Sequence, residues 1–213
     1  MRFVNWYSYL FAKRLSILLN DGHQKRSVYY FSFQIILGGL VKNIILFSLA
    51  ILVGAFIPTL IIATIFGTLR MIAGGYHMDT YGRCLFVSLM LFLVSASAAQ
   101  YTNPYWNISA MLVLIIFTFI FGLYALIRYA PKDTPHKPIT EPAEIRKFKI
   151  LSLTYLFLLS AAGLVLVYYK LNMYALSLCF GAFLELYTLT PMGHKFFDFI
   201  KGMTIKSRHK VSL

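Results

Sequence analysis

Five long apolar runs constrain the fold of this chain more than any other feature, and they lie at about residues 28–69, 85–99, 108–127, 150–168 and 173–190. Hydrophobic residues make up 59% of the 213 residues, whereas charged residues make up only 13%. A soluble domain of this size has too small a core to bury so much apolar surface, but a bilayer solvates it with one helix per roughly 20 apolar residues. The composition therefore predicts an all-α, polytopic integral membrane protein.

The first apolar run is too long for a single crossing. As one helix, residues 28–69 would extend about 63 Å, roughly twice the thickness of the hydrocarbon core. The sequence offers a turn at Lys42–Asn43 or at Gly54–Pro58. With the run divided, the chain has about six predicted transmembrane helices in a single membrane domain, residues 1–213.

The residue pattern of segment 1–27 predicts an amphipathic helix that lies on the membrane surface, rather than a cleaved signal sequence. Its apolar residues recur at helical spacing, and polar residues occupy the positions between them. The predicted apolar face contains Phe3, Trp6, Tyr7, Leu10, Phe11, Leu15, Leu18 and Leu19.

The chain has a net charge of +13, and a simple topology accounts for the positions of its Lys and Arg residues. With both termini in the cytoplasm, the cytoplasmic segments hold 18 of the 20 Lys and Arg residues: 1–27, 70–84, 128–149 and 192–213. Only Lys42 and Lys170 lie elsewhere, which is the asymmetry that the positive-inside rule predicts. Attraction to anionic lipid headgroups or to an acidic partner is the alternative use of the charge. Nucleic acid is not an expected partner, because the charges are not gathered on a compact soluble domain.

The cytoplasmic insert at 70–84 combines a glycine pair with an imidazole and a thiol. His77 and Cys84 are the groups that a cysteine nucleophile needs, because imidazole takes the thiol proton and holds the resulting ion pair. One unbroken helix would separate their Cα atoms by about 10.5 Å. The segment Asp79–Gly82 has the residue pattern of a type I turn, and a reversal there would bring the histidine back to the cysteine.

Cys84 would then lie at or near the first turn of the next helix, where free N–H groups, the helix dipole and Arg83 favour a thiolate. The same N–H groups would bind a tetrahedral oxyanion. Gly74 and Gly75 would let a substrate backbone approach closely, or would simply let the chain bend. No metal or cofactor is expected, since two ligands at this spacing are too few for zinc and the other histidines form no cluster.

Two stretches of the sequence resemble the accessory gene regulator B (AgrB) family. The first carries the motif residues Arg70, Gly74, Gly75, His77 and Cys84. The second, residues 129–139, is similar to the proline-rich cytoplasmic loop of the same family. The chain length, the amphipathic start and the six-span pattern extend the resemblance along nearly the whole chain.

The resemblance implies a membrane cysteine endopeptidase of bacterial quorum sensing, which processes an AgrD-type propeptide at the cytoplasmic face of the cell membrane. Cys84 would be the nucleophile and His77 its general base, and Arg70 and Gly75 also match positions that the family needs for activity. Cleavage of the C-terminal tail would leave an enzyme thioester, from which a thiolactone or lactone ring closes. The resemblance also implies a homodimer.

Several roles stay open at the level of sequence. Asp79 orients the His77 ring or serves the turn. Arg70 ends an apolar run, where snorkelling to headgroups is the alternative to a role in activity. Glu185, a carboxylate within an apolar run, has a buried partner, reaches water or contacts the substrate, and Cys179 is expected to be a packed small residue. A peptide transporter and a non-catalytic membrane scaffold are the alternative functions.

Overall fold

The computed structural model of the chain describes residues 2–76, 78, 80–132 and 141–211. Within these residues the chain forms eight α-helices, a short 3-10 turn at Asn103–Tyr105 and no strand, which confirms the predicted all-α class. The helices are α1 (Arg2–Leu18), α2 (His23–Leu52), α3 (Phe56–Ala73), α4 (Tyr81–Thr102), α5 (Ile108–Tyr129), α6 (Pro142–Tyr168), α7 (Asn172–Leu189) and α8 (Pro191–Val211).

Five of these helices, α2 to α6, are long and apolar enough to cross a membrane. A sixth crossing results if α7 and the first part of α8 form one unit, although the two are bent by 83°. The prediction of about six transmembrane helices is therefore confirmed. The first apolar run divides around Gly54, whose φ of 71° lies in the left-handed region that favours glycine. Lys42 consequently lies inside α2, and the alternative turn at Lys42–Asn43 does not occur.

Helix α7 lies at the centre of the bundle, where it packs against α3, α4, α5 and α6. Small residues on this helix let neighbouring backbones approach closely, as is common between membrane helices. A Cβ atom at Gly181 would lie only 3.1 Å from the backbone of Ile62 on α3. Fully buried leucines from four helices complete the core, among them Leu69, Leu126, Leu156 and Leu186.

Helix α1 packs against α2 through a face of small residues. Val4, Ser8, Ala12 and Ser16 are spaced four residues apart and are all buried. The aromatic residues on the opposite side stay exposed, with Phe3 at 64% and Trp6 at 57%. The amphipathic helix predicted from the sequence therefore forms, and several of its large apolar side chains, including Phe3, Trp6 and Leu18, are exposed. Its position on the membrane surface stays a prediction.

The loops collect at two ends of the bundle. At one end, the backbone N–H of Lys132 donates to the Ala73 carbonyl at 2.9 Å, so that the loops after α3 and α5 lie side by side. At the opposite end, the Asn172 side chain donates to the Trp106 carbonyl at 3.0 Å, which joins the loops before α5 and α7. Loops predicted to be cytoplasmic are thus separated in space from those predicted to be external.

The predicted insert at 70–84 is helical at both of its ends. Helix α3 continues to Ala73 and α4 begins at Tyr81, so that only residues 74–80 connect them. The prediction that no single helix runs through the insert is confirmed. Asp79 of the predicted turn lies outside the described residues. Over the described part the prediction is wrong, because Thr80 is extended and Tyr81 and Gly82 already belong to the first turn of α4.

Two other predicted cytoplasmic segments contain more helix than the sequence suggested. Helix α5 extends to Tyr129 and α6 begins at Pro142, both within the predicted loop at 128–149. Residues 133–140 of that loop lie outside the described residues. The predicted basic tail at 192–213 forms most of α8.

Candidate active site

Cys84 lines a cavity of about 180 Å³ at the end of the bundle where the 74–80 connection lies. Side chains from α2, α3, α4, α7 and α8 form its walls together with that connection. Most of the lining is apolar, and a few polar groups converge on it, which is the usual composition of a binding site. These polar groups are Lys42, Arg70, Tyr76, Cys84, Ser88 and Thr188.

Cys84 lies at the end of the first turn of α4. The helix follows Thr80, whose backbone is extended, and the Cys84 N–H donates to the Thr80 carbonyl at 3.1 Å. This confirms the predicted location at or near the helix start. The Cys84 N–H is therefore not free to bind an oxyanion, and only the N–H groups before it in the turn lack an intrahelical partner. The thiol is half-buried and forms no disulfide.

Arg70, in the last turn of α3, joins three parts of the site. Its Nη1 atom lies 3.3 Å from Glu185 Oε2 on α7. Its Nη2 atom donates to the backbone carbonyl of Tyr76, and the guanidinium lies 5.6 Å from the centroid of the Phe66 ring. A planar guanidinium with several donors in fixed directions suits such a junction. Arg70 is thus paired within the protein and fixes the backbone immediately before position 77.

Glu185 is the buried partner of Arg70. Its side chain is fully buried, whereas the Arg70 side chain is 25% exposed. A buried carboxylate needs a cation beside it, because the desolvation of a charge is costly. The second carboxylate oxygen, Oε1, has no hydrogen-bond partner among the described residues. Of the roles that the sequence left open, the buried partner is the one observed, and Glu185 does not line the Cys84 cavity.

The two glycines of the motif lie against other parts of the protein. Gly75 has a φ of 147°, and a Cβ atom there would be 2.6 Å from Thr188 Oγ1 and 2.7 Å from Glu185 Oε1. Gly74 has a φ of 81°, and a Cβ atom there would overlap the carbonyl oxygen of Lys132. Both positions therefore need glycine for backbone conformation and for close packing inside the protein.

Helix α8 holds the connection between α3 and α4 through Tyr76. The Tyr76 hydroxyl donates to Asp198 Oδ1 at 2.6 Å. Its ring stacks on Phe197 with the centroids 5.2 Å apart, and it meets the edge of His194 at 4.9 Å. Phe197 also lines the Cys84 cavity. The segment that the sequence marked only as a basic tail is thus part of the site, and no sequence signal pointed to this role.

Lys132 connects the loop after α5 to the same end of the bundle. Its Nζ atom lies 2.6 Å from Nε2 of His194. Since a lysine ammonium only donates, this histidine nitrogen accepts and carries no proton. Burial lowers the pKa of the Lys132 ammonium below its usual value. The described part of the stretch 129–139, residues 129–132, therefore contacts Gly74 and α8 through Lys132.

A second cavity, of about 440 Å³, also borders Cys84. It lies between α1, α2 and the start of α4, and Met78 lines both cavities. At its edge the Gln34 side chain donates to Asn5 Oδ1 at 2.8 Å, which ties α2 to α1. Cys84 is therefore reached both from inside the bundle and from the side of the amphipathic helix.

Sequence reasoning did not assign Lys42 to the site. The side chain lines the Cys84 cavity, and its Nζ atom lies 5.7 Å from the centroid of the buried Phe92 ring. The available signal was a single lysine inside an apolar run, where a charge is costly and usually functional. In the charge pattern, Lys42 appeared only as one of the two Lys and Arg residues that lie outside the predicted cytoplasmic segments.

Two of the predicted site residues, His77 and Asp79, lie outside the described residues. The described neighbours of His77, Tyr76 and Met78, both line the Cys84 cavity. Cys179 lies on α7, where it is free and buried as predicted, and it is not part of the cavity lining.

Comparison with known proteins gives a clear family match. The family model described as accessory gene regulator B matches residues 5–189. A putative AgrB-like protein of Clostridium perfringens (strain SM101 / Type A) is 25% identical, over 93% of this chain and 97% of that protein. The accessory gene regulator protein B of Staphylococcus intermedius is 28% identical, over 75% of this chain and 79% of that protein. No solved structure matches the chain.

Proposed function

The chain belongs to the accessory gene regulator B family of quorum sensing, and from this membership and the contents of the Cys84 cavity we propose that it is a membrane-embedded cysteine endopeptidase. Its substrate is an AgrD-type propeptide, from which it removes the C-terminal tail. The observation that carries the proposal is the cavity itself, because Cys84 shares it with Arg70 and with both chain neighbours of His77.

The nucleophile is Cys84 and the general base is His77. Transfer of the thiol proton to the imidazole gives a thiolate, which attacks the carbonyl carbon of the peptide bond before the tail. The C–S bond forms, the C–N bond breaks and the imidazolium gives its proton to the leaving amine. The acyl group then remains on Cys84 as a thioester.

Ring closure regenerates the enzyme. A cysteine or serine side chain within the bound peptide gives its proton to His77 and attacks the thioester carbonyl. The C–S bond to Cys84 then breaks, its electron pair returns to the Cys84 sulfur, and the imidazolium can return the proton to the thiolate. The product is a thiolactone or a lactone, according to which side chain attacks. The apolar lining of the two cavities supports this route, because exclusion of water protects the thioester from hydrolysis.

The motif residues around the thiol act as supporting groups. Arg70 holds the carbonyl of Tyr76, which places the chain just before His77. Glu185 pairs with the guanidinium from α7, outside the cavity lining. We therefore propose that Glu185 positions Arg70 and does not contact the substrate. Gly74 and Gly75 allow the close packing that this arrangement requires. Asp79 is proposed to orient the His77 ring.

Charge and shape support a cytoplasmic, membrane-bound location for this chemistry. The four predicted cytoplasmic segments carry 18 of the 20 Lys and Arg residues, and their described parts lie at or near the end of the bundle that contains Cys84. The positive-inside rule supports a cytoplasmic position for that end. The exposed aromatic face of α1 lies in the headgroup layer, where anionic lipids attract the basic segments. The propeptide reaches Cys84 through the cavity beside α1, and the working unit is a homodimer, as the family resemblance implies.

The proposal is tested with purified protein in liposomes and a synthetic AgrD-type propeptide. We expect Cys84→Ser and His77→Ala each to lower the release of the C-terminal tail by at least about a hundredfold. Cys179→Ala is the matched control and should cleave at the wild-type rate, because this thiol lies outside the cavity lining. Cleavage at the wild-type rate by either of the first two variants would refute the protease assignment. A transporter would instead tolerate both changes and lose peptide flux on Glu185→Gln.

A further inference from the structure

Lys42 is a cation in an unusual place. It lies inside α2, ten residues before the end of that helix at Leu52, and is therefore about 15 Å from the bundle end opposite Cys84. A lysine at such a depth in a membrane protein faces the interior and has a partner or a function. Within the part of the chain that the structure describes, Lys42 forms no ion pair, and its ammonium lies 5.7 Å from the centroid of the Phe92 ring.

The helix register brings Lys42 to the level of Cys84. The Tyr81 hydroxyl donates to the Gly38 carbonyl, and the Tyr81 ring packs directly on Gly38. Both α2 and α4 run from this contact into the bundle. One turn further along each helix, the next residues on the same faces are Lys42 and Cys84, which line the same cavity.

The other charged group of the cavity is already neutralised. Arg70 lines the cavity as well, but Glu185 pairs with it from α7. Among the described residues that line the cavity, the remaining cation is therefore the ammonium of Lys42. The anion that forms in the same cavity during the proposed reaction is the Cys84 thiolate.

We propose that Lys42 is the electrostatic partner of the Cys84 thiolate, which it stabilises across the cavity in both halves of the reaction. The inference rests on the proposed function. In the first half, the thiol proton goes to His77 and the ammonium stays protonated, so that the thiolate is held beside a positive charge. In the second half, the attacking side chain of the peptide gives its proton to His77 and bonds to the thioester carbonyl carbon. The C–S bond to Cys84 breaks, and the electron pair returns to the sulfur in the cavity that Lys42 also lines. Lys42 thus favours both the attacking thiolate and the leaving thiolate.

The test must separate this charge from the others around the thiol. The titratable or charged groups that line the two cavities at Cys84 are Lys42, Arg70, Tyr76 and Tyr81, and Arg83 precedes the cysteine on α4. Behind them lie Glu185 on α7 and Asp198 on α8, which contact Arg70 and Tyr76. His77 and Asp79 of the connection lie outside the described residues and are held constant in every variant.

The experiment measures how fast a neutral alkylating reagent modifies Cys84 as a function of pH, in a Cys179→Ala background that leaves a single thiol. Lys42→Met should move the midpoint of the profile upwards by about one pH unit and slow the reaction at neutral pH about tenfold, because an opposite charge nearby favours the charged form. Lys42→Arg, which keeps the charge, should stay close to the parent. Lys170→Met is the matched control, since this lysine lies in the loop before α7 at the opposite end.

A Lys42→Met profile that superimposes on the parent, in protein with an unchanged melting temperature, would overturn the inference. If the methionine variant does not fold, Lys42→Gln replaces it with a polar side chain of similar length, and the same shift is expected. The profile requires no propeptide. A wild-type protein that cleaves no propeptide would therefore refute the proposed function, while the thiol profile separately decides the role of Lys42.

Discussion

The ion pair between Arg70 and Glu185 is the central arrangement of residues at the site. A buried pair contributes little net stability, because the desolvation of two charges offsets their attraction. The role of this pair is geometric, because Glu185 fixes the direction of the guanidinium and another N–H of the guanidinium donates to the Tyr76 carbonyl. The pair also explains why position 75 is a glycine. A Cβ atom there would be too close to Thr188, Glu185 and Arg70, at 2.6, 2.7 and 3.0 Å.

We predict that Gly75→Ala strongly reduces propeptide cleavage. The new methyl group would lie 2.7 Å from Glu185 Oε1, and the φ of 147° is one that alanine rarely adopts. A strain of about 1–3 kcal/mol is expected, and displacement of Arg70 would lower the cleavage rate at least about tenfold. Gly67→Ala on α3 is the control, because nothing lies within 4 Å of a Cβ atom there. The measurement is the rate of propeptide cleavage by each variant in liposomes. Equal rates for Gly75→Ala and Gly67→Ala would contradict the prediction.

At the scale of elements, the bend between α7 and α8 brings a second helix to the site. Thr190 has an extended backbone, as a residue before proline prefers, and its side chain accepts a hydrogen bond from the Gly193 N–H at 3.1 Å. Gly193 packs directly on the Tyr187 carbonyl, which leaves no room for a side chain. The bend of 83° between the two helices brings α8 into contact with Tyr76 of the connection between α3 and α4.

We predict that Phe197→Ala slows cleavage, because it removes the ring on which Tyr76 stacks and opens the wall of the Cys84 cavity. A decrease of about tenfold is expected, together with a lower melting temperature from the cavity created. Phe199→Ala provides the comparison, since Phe199 is 64% exposed whereas Phe197 is 6% exposed. Equal effects of the two substitutions on the cleavage rate would show that α8 does not support the site.

At the scale of the whole molecule, the grouping of the loops gives the charge pattern a structural basis. The described parts of the loops predicted to be cytoplasmic lie at the end of the bundle that contains Cys84, while aromatic residues such as Tyr101 and Trp106 lie at the other end. Because lysine and arginine are retained on the cytoplasmic side, this difference between the two ends supports the proposed topology, with the Cys84 end in the cytoplasm.

The topology is testable by labelling single cysteines in whole cells. In a Cys84→Ser, Cys179→Ala background, Tyr105→Cys should react with a membrane-impermeant maleimide added outside, because Tyr105 is 86% exposed at the predicted external end. Gly202→Cys, exposed on α8 at the other end, should react only after the membrane is permeabilised. Reversal of this pattern would place Cys84 on the external side and would contradict the proposed cytoplasmic reaction.

Much of the fold was predictable because a membrane imposes a strong rule on sequence. Each crossing needs a long apolar helix, so that the length of a run and the positions of glycine and proline indicate where helices begin and end. The choice between the two turns in the first run was not predictable, because Lys42 and Gly54 are both plausible breaks in a one-dimensional pattern. Over its described residues the predicted turn at Asp79–Gly82 was wrong because α4 begins at Tyr81, whose hydroxyl bonds to Gly38 of α2, a contact that no local pattern indicates.

The sequence by itself determined that this chain is an all-α membrane protein and that a histidine and a cysteine share one short insert. It also determined which connecting segments carry most of the Lys and Arg residues. These properties depend on composition and on spacing along the chain, which local chemistry fixes. Only the tertiary structure decided that Arg70 pairs with Glu185, that α8 covers Tyr76 and that Lys42 lines the Cys84 cavity. Such contacts join residues far apart in sequence, and helix packing rather than any local pattern selects them.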